Sequence, residues 1–148
     1  MMRRARFAGV IGIAVAVSVV SGCSQLPFHD DSYETEIPAA LEAADLGITE
    51  AFAGTTLDGF SETLVVGGRV EDSVVPTDDV SSQFVQKVIA VALEGRSVNT
   101  AYFKLALGFG QYEFISTDRA LAGLGADPRS DGSITMREAE QIAREDSE

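Results

Sequence analysis

The chain has 148 residues, with 11 Lys and Arg against 23 Asp and Glu, and a formal net charge of −12. So acidic a surface excludes nucleic acid as a partner, because that binding needs phosphates neutralised by Lys and Arg, and it is repelled by anionic lipid headgroups. A single cysteine rules out an internal disulfide, so the fold must stand on its core, and a chain of this length is expected to form one domain.

Arg3, Arg4 and Arg6 open the chain as a basic segment, and residues 7–20 (FAGVIGIAVAVSVV) carry no charge. These 14 residues fall short of the roughly 20 needed to span a bilayer core, so the stretch reads as a cleaved secretion signal. It ends in Val20-Ser21-Gly22-Cys23, which resembles the lipobox of bacterial lipoproteins. That resemblance implies diacylglycerol on the Cys23 sulfur, cleavage after Gly22, and attachment to the cell membrane on its extracytoplasmic side. Two acyl chains supply the second anchoring signal that stable attachment requires. Residues 1–22 are thus the expected signal peptide. Only three of the basic residues lie there, so the mature part keeps eight against all 23 acidic ones, a formal charge near −15. Electrostatics favours divalent cations or an envelope protein with a basic patch as company.

Residues 23–36 read as the lipidated cysteine and a flexible acidic tether, and residues 37–148 as a single α+β domain with an acidic C-terminal helix. Within the domain, Ile37, Leu41, Ala44, Ile48 and Phe52 recur at helical spacing and predict a helix over 38–53. Leu57-Asp58-Gly59 is a turn signal. Period-two alternation of Leu64, Val66 and Val70 against Thr63 and Val65 predicts a strand over 60–71, with Gly67-Gly68 marking a bulge or a close backbone approach. Pro76, Thr77, Asp78 and Asp79 mark the start of the strongest helix, whose stripe is Val80, Phe84, Val85, Val88, Ile89 and Ala92. Gly95 is its stop. Residues 98–107 and 111–116 predict two strands of a hairpin, in which Tyr102, Phe103, Phe109, Tyr112 and Phe114 concentrate the aromatic side chains as core, cross-strand pairs or a ligand-facing patch. Two short helices follow, over 117–124 and from 135 to about 145.

The expected architecture is therefore a small three-stranded sheet, mixed or antiparallel, with helices on one face and the order α-β-α-β-β-α-α. The helix between the strands at 60–71 and 98–107 suits a parallel crossover.

One segment carries metal chemistry in its spacing. Residues 127–138 (DPRSDGSITMRE) resemble the calcium loop of an EF-hand, in which oxygens arrive at fixed positions around a glycine at the sixth. The resemblance implies ligation by Asp127, Asp131, the Ser133 carbonyl, Thr135 through water, and Glu138, with calcium as the cofactor. Arg129 departs from the pattern, standing where the third ligand belongs. The same residues also make a turn at Asp131-Gly132 and a capping box from Thr135 to Glu138.

The only histidine, His29, falls in the tether. Ser-His and Cys-His catalysis and zinc sites built from His and Cys are therefore excluded within the chain. Gly108-Phe109-Gly110 is followed by a strand pattern instead of the helix that a dinucleotide loop needs. These absences favour a non-enzymatic lipoprotein domain that binds a partner or serves envelope assembly. A calcium-responsive module is the alternative, and a carboxylate-based hydrolase would require two acids facing one cleft.

Overall fold

The computed structural model describes residues 31–73, 79–110 and 113–146 of the chain. The signal segment, the lipobox with Cys23, the tether as far as residue 30, the stretch 74–78 and Tyr112 lie outside the described residues.

The fold begins at α1 (Tyr33–Ala43), earlier than the boundary at residue 37 expected from the sequence. Tyr33 is itself buried, together with Ile37 and Leu41, on the inner face of this helix. Pro38 lies inside α1 and removes one i→i−4 bond from it. Asp45 and Gly47 then take positive φ angles of 54° and 68°, and the chain turns into β1 (Ile48–Asp58). The helix expected over 38–53 is thus half helix and half strand. Its second half imitates helical spacing because β1 carries a bulge between Thr49 and Phe52. Glu50 adopts φ 49° there, so Ile48 and Phe52 are four apart without sharing a helix face.

Gly59, at φ 63°, turns β1 into β2 (Ser61–Val70), and the two pair antiparallel from Asp58↔Ser61 to Ile48↔Val70. Next comes α2 (Ser82–Leu93), capped by the Ser81 hydroxyl, which accepts the Phe84 N–H at 3.1 Å. Asp79, expected at the helix start, instead ion-pairs with Arg119. Gly95, at φ 66°, stops the helix as expected. Arg96 folds back to donate to the carbonyls of Val91 at 3.1 Å and Glu94 at 3.0 Å, satisfying the open end. It also pairs with Glu36 of α1.

The crossover delivers β3 (Tyr102–Phe109) parallel to β2, with Leu64↔Phe103, Val66↔Leu105 and Gly68↔Leu107 in register. Beyond Gly110, β4 (Glu113–Phe114) returns antiparallel over two residues only. The chain then leaves the sheet for α3 (Asp118–Gly123) and comes back as β5 (Ile134–Thr135), which pairs with the other end of β3 before α4 (Met136–Glu145).

The class is α+β with a mixed sheet, and helices cover one face as expected, but the sheet has five strands instead of three, in the order β1-β2-β3-β4 with β5 also on β3. The element order is α-β-β-α-β-β-α-β-α. The missing strands are β1, masked by its bulge, and β5, which is too short to show a period.

Helices α1, α3 and α4 all touch α2, so the four form one layer. Beneath them Leu64, Val66, Phe103 and Leu107 of the sheet meet Ile37, Leu41, Val85, Val88, Ile89, Leu121 and Ile142 in a single core. No described helix is long and apolar enough to cross a membrane.

Gly67 and Gly54 test this packing from opposite directions. A Cβ on Gly67 would run into the Ala106 carbonyl and come within 2.6 Å of the Phe52 ring, whereas one on Gly54 would meet nothing within 4 Å. Gly67→Ala is expected to cost about 2–3 kcal/mol by forcing β2 and β3 apart, and Gly54→Ala less than about 0.5 kcal/mol. Melting temperatures of the two variants check the contrast, and equal losses would contradict the register described here.

Candidate functional site

Two features of the described chain carry polar chemistry, the 127–138 loop and the second face of the sheet, and they adjoin. Gly125, at φ 83°, closes α3. The Arg129 N–H then donates to the Ser133 carbonyl at 2.8 Å, and the Gly132 N–H to the Arg129 carbonyl at 2.8 Å, making a tight turn with Gly132 at φ 79°. The Asp131 carboxylate folds over this turn and accepts the Ser133 N–H at 3.1 Å and the Ser133 hydroxyl at 2.7 Å. Both donors hold the Asp131 carboxyl below its usual range, and the Lys104 ammonium adds to the effect.

Glu138 closes the loop. One of its oxygens, Oε1, accepts the Asp127 N–H at 2.9 Å. The other, Oε2, accepts the Thr135 hydroxyl at 2.6 Å and the Thr135 N–H at 2.8 Å. The Glu138 N–H returns a bond to Thr135 Oγ1 at 3.3 Å, completing a capping box at the start of α4. This Glu138 carboxyl is likewise held below its usual range, first by the Thr135 hydroxyl and next by the Asp127 N–H.

The structure therefore joins the first and twelfth loop positions, as an EF-hand does, but through a carboxylate and a backbone N–H. The oxygens expected of Glu138, Asp131 and the Ser133 carbonyl are engaged with the loop's own donors, and the Thr135 hydroxyl is bonded to Glu138. Arg129 turns aside to lie 4.2 Å from the centre of the Tyr102 ring, a cation–π contact. Among the described residues no group of three or more Asp, Glu, His or Cys side chains is placed to hold a metal ion. As folded, this donor set does not fit calcium.

On the sheet, strand register sends Thr56, Thr63, Val65, Tyr102, Lys104 and Ala106 to the face away from the helices. Phe52 lies on the same face, over Gly67. Because β4 and β5 each hold only one end of β3, and the Leu107 carbonyl accepts the Ile115 N–H at 3.0 Å, its edge from Lys104 to Ala106 is left between them. A hollow of about 670 Å³ opens there, and Asp131 and Gly132 of the loop line it together with Asp58, Thr63, Lys104 and Asp118. Three carboxylates and one ammonium leave the hollow negative.

The sequence singled out Asp131 but missed Asp58, Thr63, Lys104 and Asp118 as neighbours. The available signal was the outward half of the 101–107 alternation, where Lys104 interrupts an otherwise apolar pattern. Of the aromatic cluster, Phe103 is core, Tyr102 is stacked by Arg129, and Phe114 is exposed at the edge of the hollow.

Thr135→Ala is expected to lower stability by about 1 kcal/mol, the usual cost of losing an N-cap, and Glu138→Ala by more because it also frees Asp127. Since both carboxyls are held low in the folded state, their contribution is complete above the ordinary carboxylate values of 3.8 and 4.5. It is lost as the pH falls through the lower folded values. The melting temperature should therefore drop below about pH 4.5, and Glu138→Gln should flatten part of that drop. Calcium at ~10 mM, some ten times the weakest dissociation constant of extracellular modules, is expected to leave the melting temperature unchanged. A saturable rise abolished by Glu138→Gln would restore the metal site.

No family model matches this chain, and no curated protein or solved structure shows significant similarity to it; what the loop and the open face do is decided by their own chemistry.

Proposed function

We propose that the chain is a bacterial lipoprotein, held at the extracytoplasmic side of the cell membrane by lipid on Cys23, whose domain binds an envelope partner without catalysing a reaction. The observation that carries the binding role is the sheet face without described helices, with its negative hollow of about 670 Å³. Small-molecule and side-chain sites are concave, with a few polar groups converging on an apolar wall. Here Val65, Ala106 and Phe114 give the apolar wall, and Asp58, Asp118 and Asp131 the charge. A basic side chain of a partner is the group such a hollow attracts, in keeping with the net charge of −12.

A carboxylate-based hydrolase would use the same acids. It needs one of them to keep a proton near neutrality, whereas Ser133 and Lys104 favour the charged form of Asp131. The binding role is the better supported of the two.

Two experiments test the proposal. Cys23→Ser should move the chain from the membrane fraction to the soluble fraction, and retention on the membrane would remove the lipid anchor. A photo-crosslinking residue at Val65 in cells should give one discrete adduct, weakened by Asp118→Asn, while the same residue at exposed Lys87 of α2 should give none. Equal adducts from both positions, or none from Val65, would remove the open face as the contact.

A further inference from the structure

We propose that the turn between β1 and β2 touches the bilayer through Leu57 and Phe60 and so fixes the orientation of the anchored domain; this rests on the lipoprotein assignment above. Leu57 is 71% and Phe60 107% exposed, at a tip where Gly59 makes the turn. Single exposed apolar residues are ordinary, but here two large ones stand together at the tip of one turn, and it is a shared patch that marks a contact surface.

The position of this tip identifies what covers it. Helix α1 runs back along β1, and the Tyr33 hydroxyl donates to Thr55 Oγ1 at 3.5 Å. The start of α1 is therefore held two residues from Leu57, at the same end of the molecule as the turn. In the lipoprotein reading, cleavage after Gly22 leaves Cys23 and the short segment after it to join the described chain at this end. From Cys23 to Tyr33 the chain reaches at most about 35 Å, so an anchor on Cys23 leaves the tip within reach of the bilayer, and the two apolar side chains select this end. Phe114 is also exposed, at 84%, but pairs with Gly108, which pairs with Arg69 near the far end of β2. Strand β2 has 10 residues, which puts Phe114 roughly 25 Å from the tip along the sheet.

Asp58 and Glu62 flank the two apolar side chains, which limits the contact to shallow insertion among zwitterionic headgroups. Two side chains are too few to hold an acidic domain on a membrane alone. Added to a lipid anchor, they select one end of the molecule. The open sheet face then stands along the membrane normal with its hollow accessible from the side.

The chain contains no tryptophan, so Phe60→Trp and Phe114→Trp each provide a single reporter at an exposed position where the fold is not at risk. Both mature lipidated chains, beginning at Cys23, are reconstituted into phosphatidylcholine vesicles, with and without brominated phosphatidylcholine. Expected is a blue-shifted emission for F60W that the brominated lipid quenches, and a water-like, unquenched emission for F114W. An anchored chain whose F60W emits as in water, or whose F114W is quenched equally, overturns the orientation and leaves the anchor standing. A blue shift without quenching places the ring against protein, either a second copy or the chain's own tether, and also overturns it. A chain that carries no lipid on Cys23 by mass and does not join the membrane fraction removes the anchor and the orientation together.

Discussion

The parallel pairing of β2 with β3 cannot be closed by a turn, and the rest of the structure follows from how the chain makes that return. Parallel neighbours need a crossover, usually a helix, which packs back on the sheet it has just left. Helix α2 is that crossover, and its buried residues Val85, Val88, Ile89 and Ala92 meet Leu64, Val66, Phe103 and Leu107 in the core. Once α2 occupies one face, the remaining helices gain most by burying their apolar sides against it and against each other on that same face. All three do so. The layer arrangement is thus a consequence of one topological choice.

The same choice leaves the opposite face without described helices. Its residues are mixed: Thr56, Thr63 and Lys104 among Phe52, Val65 and Ala106. Such a face tolerates water without requiring it, which is the composition expected of a surface that alternates between solvent and a partner. The excursion from β4 through α3 to β5 adds a second asymmetry. It holds β3 at both ends and leaves its middle open, so the hollow is a product of a strand replaced by two short pieces. The hollow on which the proposed binding role rests is located where the sheet is incomplete.

How much of this is legible in the sequence depends on the length of each periodic run. The stripe of α2 and the alternation at Leu64, Val66 and Val70, or at Phe103, Leu105 and Leu107, extend over several repeats and locate the core correctly. The turn at Gly59 and the stop at Gly95 are legible because a positive φ is needed at each. In β1 the period is broken by the bulge at Glu50, which shifts the phase of the side chains and mimics a helix. Strand β4 was legible within the run 111–116 and its hairpin with 98–107, although only Glu113 and Phe114 of it pair, whereas β5 has two residues, too few for any period, and only its partner β3 makes it a strand. The hollow was illegible for the same reason, since Asp58, Lys104, Asp118 and Asp131 come from four separate segments. The Thr135 cap was legible because its partners lie three residues apart.

The 127–138 loop shows why a motif at the right spacing can fold without its ion. An EF-hand loop curls because a cation draws several oxygens inward, and glycine at the sixth position permits the curl. Here Gly132 permits the same curl, with φ 79°, but the inward attraction comes from the loop's own hydroxyl and backbone N–H donors. The N–H groups of Asp127 and Thr135 lie at the positive end of α4 and converge on Glu138, while Ser133 takes Asp131. Arg129, the residue that breaks the ligand pattern, is drawn off by Tyr102 of β3 and so couples the loop to the sheet. A loop tied at three points by its own donors holds Asp131 fixed at the rim of the hollow. In the proposed binding role its negative charge would be presented with no rearrangement to a basic group, which would favour affinity by lowering the entropy lost on binding. The resemblance to a metal loop and the proposed binding role of the open face therefore have one physical origin, a rigid turn that concentrates carboxylates beside an incomplete sheet.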